Sequence, residues 1–349
     1  MIVFAMTLMS SNSPSPQVCF FGAALDALDQ PDRVALKQAY AAAAAEGRVP
    51  PDLPLDPYDA IVRAFSENGG LPGSLLGKLP LPGWLTPRPG PEWADKIQSE
   101  NFRSFLDRDS CREAAGHCQA LIAKNILPAV PGLLAVDHSL AGGAIAAVTE
   151  KDGPENVTVI VLDSHFDGLP NSLRKPAADS PAPDTYHCGS FLHYLLEEGR
   201  LLPQNLIVIG VSDYPGADAS RSDPLVDAYL GWADRGVAFF PKSQVRLPGF
   251  SEVLAEKLDA VATPYLYISL DADVGACAGI PAVRFMDRVG LEAKEILPIA
   301  EAIGARVHHG RARLAGFDVS ELDVHLLGLE EEDFSIQTCL DFIGRLLEG

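Results

Sequence analysis

The sequence predicts a three-layer α/β/α architecture around a central, mostly parallel sheet. Three observations predict it. Strand-like and helix-like segments alternate through most of the chain, and no stretch repeats another. The strand candidates are continuous apolar runs such as Val159-Ile-Val-Leu162, the pattern of strands covered on both faces. Side chains of metal-ligand type stand directly after several of these runs, at the carboxyl ends where parallel sheets build their sites.

In chain order, the apolar opening Met1–Met9 reads as a ragged start or a strand. It has neither the basic segment nor the small-residue cleavage site of a secretion signal. Together with the Ser- and Pro-rich residues 10–16 it forms a flexible lead-in. Val18–Phe21 is a first strand, and the Ala-rich stretch Arg33–Gly47 a helix with Gly as its stop. Residues 48–58 and 66–92 are heavy in Pro and Gly and read as loops, so the segment 48–100 is loop-rich. Ser110–Asn125 is a helix and Ala129–Val136 a strand, followed by a small-residue helix over Leu140–Val148. After the central strand come a loop over 168–186 and a helix over His187–Glu198. Strands follow at Leu206–Val211 and Val237–Phe240, a helix over Phe250–Val261, and a strand at Leu266–Leu270. A helix over Gly290–Arg306, a strand over Leu314–Val319 and an amphipathic helix over Ser335–Glu348 close the chain. The whole, 1–349, reads as a single domain.

Composition narrows the function classes. Of 349 residues, 47% are apolar, enough for a large core, yet no apolar run approaches the roughly 20 residues that span a bilayer. Net charge is −20 without a basic patch, which argues against nucleic acid and anionic membranes as partners. The 6 cysteines form no CxxC pair, as expected for reduced thiols in a cytoplasm.

The chemistry lies at three strand ends. After Val159–Leu162 come Asp163, His165 and Asp167, alternating so that an extended backbone points all three to one side. Asp271 and Asp273 follow the strand Leu266–Leu270 with the same spacing, and His138 follows Ala129–Val136. Carboxylate with imidazole is the ligand mix of Mn²⁺, Zn²⁺, Fe²⁺ or Ni²⁺. Four carboxylates in one apolar crevice repel one another unless cations lie among them, and two divalent ions balance that charge.

These segments resemble the ureohydrolase family of arginases, agmatinases, formimidoylglutamases and guanidinases. Asp137-His-Ser139 resembles the family's Gly-Gly-Asp-His-Ser, with Ala135 and Val136 in place of the glycines. Asp163-Ser-His-Phe-Asp167 resembles its Asp-Ala-His-x-Asp, and Ser269-Leu-Asp-Ala-Asp273 its Ser-x-Asp-x-Asp. His187 stands where the family has a catalytic His, and Gly316-Phe-Asp-Val-Ser-Glu321 resembles the strand that carries its guanidinium-binding Glu. Ala276 and Cys277 replace a Pro-containing turn, with Cys277 expected to pack as a small apolar group.

The resemblance implies an arginase-like fold and hydrolysis of a guanidino or amidino C–N bond in a small cationic substrate, releasing urea or ammonia. His138, Asp163, His165, Asp167, Asp271 and Asp273 would hold two divalent ions, Mn²⁺ before Ni²⁺. His187 would shuttle a proton, Glu321 would hold the substrate's cationic head, and Asp167 would count among the catalytic residues as well as the ligands. Homo-trimers or hexamers are implied too. Arg174, Lys175, Arg284 and Arg288 lie in loops of the kind that set specificity and are candidates for a substrate carboxylate. The competing readings are a metal-binding pseudoenzyme and a deacetylase-like hydrolase with a single zinc.

Overall fold

A computed structural model describes residues 17–174, 184–216, 218–287, 290–329 and 333–348. The expected lead-in 1–16 lies outside these residues, as do Lys175, Arg288 and the side chain of Arg174. Among the described residues, eight strands form one sheet: β1 (Val18–Ala23), β2 (Ser74–Lys78), β3 (Val130–Ala135), β4 (Val157–Leu162), β5 (Leu206–Ile209), β6 (Ala238–Phe240), β7 (Tyr265–Asp271) and β8 (Arg313–Ser320). Their order is β2-β1-β3-β8-β7-β4-β5-β6, and every pairing is parallel.

The apolar runs become central strands because both faces of the sheet are covered. Val159 and Val161 of β4 pack into one core with the helices Ser110–Asn125 and Ser139–Asp152. Ile160 and Leu162 pack into the opposite core with Ala293–His308 and Ser335–Glu348. The helix after β3 owes its close seat to a glycine. A Cβ on Gly143 would stand 2.1 Å from the carbonyl oxygen of Ala115, so only Gly lets these two helix backbones approach so closely. That contact fixes the helix whose first turn follows His138.

Several elements differ from the expectation. The helix Pro57–Glu67 occupies part of what reads as loop, with Pro57 at its first position and Asp56 capping it by accepting from the Asp59 N–H at 3.2 Å. Its Tyr58, Ile61 and Phe65 are buried at helical spacing. Within 66–92 lies β2, an edge strand whose side chains are mostly exposed, so it carries no apolar run to betray it. The helix expected to begin at His187 begins at Phe191, leaving His187 in the turn before it. Among the described residues, no helix is long and apolar enough to cross a membrane.

Candidate metal centre

Four neighbouring strands deliver the site from their carboxyl ends. β3 leads into Asp137 and His138, β4 into Asp163, His165 and Asp167, β7 into Asp271 and Asp273, and β8 into Glu321. The two-residue spacing of the aspartates then works through local hydrogen bonds. Asp163 Oδ1 accepts from the His165 N–H at 2.6 Å, and Asp271 Oδ1 from the Asp273 N–H at 2.8 Å. Asp273 Oδ1 accepts from the Ser164 N–H at 3.1 Å. Each of these carboxylates thus has one oxygen held by a backbone N–H, and the held Asp163 Oδ1 also faces the His165 ring.

The carboxylates meet the imidazoles. His138 Nδ1 lies 3.0 Å from Asp271 Oδ2, 3.1 Å from Asp167 Oδ2 and 3.5 Å from Asp163 Oδ2. His165 Nδ1 lies 2.9 Å from Asp273 Oδ2 and 3.6 Å from Asp163 Oδ1. Two ligand groups result, His138–Asp163–Asp167–Asp271 and Asp163–His165–Asp273, with the ligand atoms of each within 4.8 Å of one another. Asp163 belongs to both groups.

The tautomer of His138 decides what this cluster can hold. Ser269 Oγ donates its hydroxyl proton to Asp318 Oδ1 at 3.0 Å, so it accepts from His138 Nε2–H at 2.8 Å. Nδ1 then faces three carboxylates, a crowd of acceptors that calls for positive charge among them, supplied by a proton on Nδ1 or by a metal ion that displaces it. Asp163 Oδ2, buried, has no hydrogen-bond partner among the described residues. The charges show the same need. Burial by itself would lower the pKa of His165, but hydrogen bonds to Asp163 and Asp273 push it up to about 12. His138 rises well above its ordinary value because Asp271, Asp163 and Asp167 outweigh its burial. Imidazole and carboxylate around a cation-seeking centre fit a divalent transition ion.

A profile of the arginase family matches residues 89–327, more than half of the chain. The chain belongs to the arginase family. Solved structures with the same fold include proclavaminate amidino hydrolase from Streptomyces clavuligerus, at 19% identity and TM-score 0.58, covering 96% of this chain and 92% of that one. Arginase from Bacillus subtilis is similar at 17% identity and TM-score 0.60, covering 95% and 99%. Trypanosoma cruzi formiminoglutamase, solved with Mn²⁺, is similar at 18% identity and TM-score 0.58, covering 95% and 92%. No curated protein matches the sequence significantly.

Glu321 stands apart from these two groups, in a third with Asp137 and Cys188. It adopts φ +67°, a left-handed turn at the end of β8 that is unusual for a residue other than Gly. Its Oε1 accepts from the backbone N–H of His138 at 2.8 Å, and its Oε2 from Arg284 Nη1 at 2.9 Å. The expectation that Glu321 awaits a cation from a substrate thus meets a different arrangement, since the guanidinium beside it belongs to the chain. Arg284, expected in an open specificity loop, is 5% exposed and turned inward. Its loop is held there by the antiparallel bridge between Val283 and Leu322. The neighbourhood of Glu321 is finely balanced. Burial raises its pKa to about 8, against the lowering charge of Arg284.

His187 belongs to none of the three groups found among the described residues. Its Nδ1 accepts from the Gly189 N–H at 3.0 Å, which places its proton on Nε2, 2.5 Å from Asn171 Oδ1. The next residue, Cys188, is the one that reaches Asp137 and Glu321. Cys277, expected to pack as a small apolar group, is exposed at φ +57° with its thiol 3.7 Å from Met286 Sδ.

Sequence reasoning named the His and Asp residues that cluster here but passed over what orients them. Ser269 is visible in its motif. Asp318 gives a signal of its own, a carboxylate inside a strand whose other buried residues are apolar or small. It is buried, with Tyr267, Ser269 and Ser320 all donating to it.

Proposed function

We propose that this protein is a metal-dependent hydrolase that cuts a C–N bond at a planar carbon of the guanidine, amidine or ureide class. The observation that carries the reading is the sharing of Asp163 by two ligand groups. One carboxylate with two seats suits a pair of ions, and a single-zinc hydrolase has no use for the second seat. His138, Asp163, Asp167 and Asp271 would hold one ion, and Asp163, His165 and Asp273 the other. Mn²⁺ is the first choice and Ni²⁺ the second; the Trypanosoma cruzi neighbour was solved with Mn²⁺. When bound, such ions supply Lewis acidity and make water reactive near neutral pH.

The remaining work falls to the chain's own groups. The Ser269–Asp318 pair holds His138 in the tautomer that presents Nδ1 to the ion. His187 carries a proton on Nε2 and would deliver it to the departing nitrogen. The amidino hydrolase among the structural neighbours lends the substrate class its support. Assembly as trimers or hexamers belongs to the same proposal.

The test is turnover. The protein loaded with Mn²⁺, and separately with Ni²⁺, is offered a panel of guanidines, amidines and ureides, and release of urea, ammonia or amine is measured. Hydrolysis of one class supports the reading. Two bound ions per chain with no turnover across the panel would leave a pseudoenzyme that keeps its metals for structure, a reading that the filling of Glu321 by Arg284 favours.

A further inference from the structure

The acceptors beside the metal ligands are already in use. Glu321 Oε2, the Val136 carbonyl and Asp137 Oδ2 lie 2.9, 2.9 and 3.4 Å from Arg284 Nη1, and Asp26 Oδ1 lies 2.9 Å from Nη2. A planar cation with forked N–H groups is what such a set of oxygens recognises. It abuts the ligand group directly, because Glu321 also holds the backbone N–H of His138 and Asp137 is the residue before it. Arg284 is fixed from its main chain as well. Its N–H donates to the Glu321 carbonyl at 2.9 Å, and its own carbonyl accepts from Arg33 Nη2 at 2.6 Å. Lys37 holds Asp26 from the far side at 3.0 Å. What Arg284 has left is Nε, a buried donor with no hydrogen-bond partner among the described residues.

We infer that Arg284 stands permanently where a substrate cation would otherwise bind. The site therefore takes an uncharged ureido or amide group, whose carbonyl oxygen can accept a hydrogen bond, in preference to a guanidinium or amidinium. The inference rests on the metal-hydrolase reading above and narrows its substrate. A second cation pressed into this box would face Arg284 at close range in a poorly solvated space, whereas a neutral carbonyl meets no such repulsion. The reaction needs only water. Its oxygen adds to the carbonyl carbon, the C–N bond breaks, and the nitrogen leaves with a proton as ammonia or an amine.

The experiment uses guanidinium chloride at low millimolar concentration, far below denaturing levels, as a probe of the box. In Arg284→Ala the acceptors lose their cation, so Tm falls. Added guanidinium restores it saturably by binding the folded state. In the parent, guanidinium gives no rise in Tm. The double variant Arg284→Met with Glu321→Gln removes both charges at nearly constant volume. It folds without the ion and shows no guanidinium response, and it serves if Arg284→Ala fails to fold. A saturable rise in the parent overturns the inference, as does the same rise in the double variant. The parent is also assayed on matched ureide and guanidine substrates, with hydrolysis of the ureide expected. Hydrolysis of the guanidine at a comparable kcat/KM overturns the inference. Guanidinium rescue without turnover of any substrate overturns the hydrolase reading instead and leaves Arg284 assigned.

Discussion

His187 and Asp26 report on different things. His187 has its proton placed on Nε2 by the Gly189 N–H at its other nitrogen. If it delivers that proton to the leaving group, His187→Ala lowers kcat by about 10²–10⁴ while both ions stay bound. Loss of an ion in that variant would make it a ligand, and unchanged turnover would remove it from the mechanism. Asp26 concerns stability. Burial by itself would raise its pKa, but the charges of Lys37 and Arg284 hold it down to about 2, against an ordinary 3.8. A carboxyl lowered in the folded state contributes stability that is complete above its unfolded value and disappears as pH falls toward the folded one. The contribution is about 2 kcal/mol, lost between about pH 4 and pH 2. Thermal unfolding of the parent and of Asp26→Asn across that window should show a difference that is largest above pH 4 and closes toward pH 2. A difference that stays constant would contradict the pairing.

The site depends on which strands stand side by side. β8 lies between β3 and β7, with Ser269 of β7 in register with Asp318 of β8. That pairing brings Asp318 to Ser269, and Ser269 to His138 at the end of β3. Asp318→Asn keeps the shape but weakens the acceptor that fixes the imidazole tautomer. Metal affinity should fall about 10–100-fold at the His138 group while the fold persists, measured by titration with Mn²⁺. Unchanged affinity would show that the tautomer is set elsewhere. Ligand-type residues at apolar strand ends are legible, because strand periodicity and the ends of parallel strands already say where such side chains go. The role of Arg284 is not. Its partner is chosen by the bridge between Val283 and Leu322, and nothing near Arg284 in sequence marks that contact. β2 escapes notice because an exposed edge strand has no buried face to impose a pattern. The start of the helix at Phe191 is obscured because His187 is held by its own turn, its N–H donating to Ser190 Oγ at 3.1 Å.

At the scale of the molecule, acidity and metal binding are one problem. A chain of net charge −20 gathers Asp163, Asp167, Asp271 and Asp273 on one edge of its sheet, all at most 4% exposed. Burying that much like charge is tolerable only with cations among it. Both imidazoles are drawn toward protonation there, so an entering ion displaces protons and its affinity rises with pH. Elemental analysis of the purified, metal-loaded protein decides whether two ions share Asp163. The parent should hold close to two divalent ions per chain, Asp273→Ala close to one, and Asp163→Ala neither ion tightly. A single zinc per chain, unaffected by Asp273→Ala, would contradict the binuclear centre.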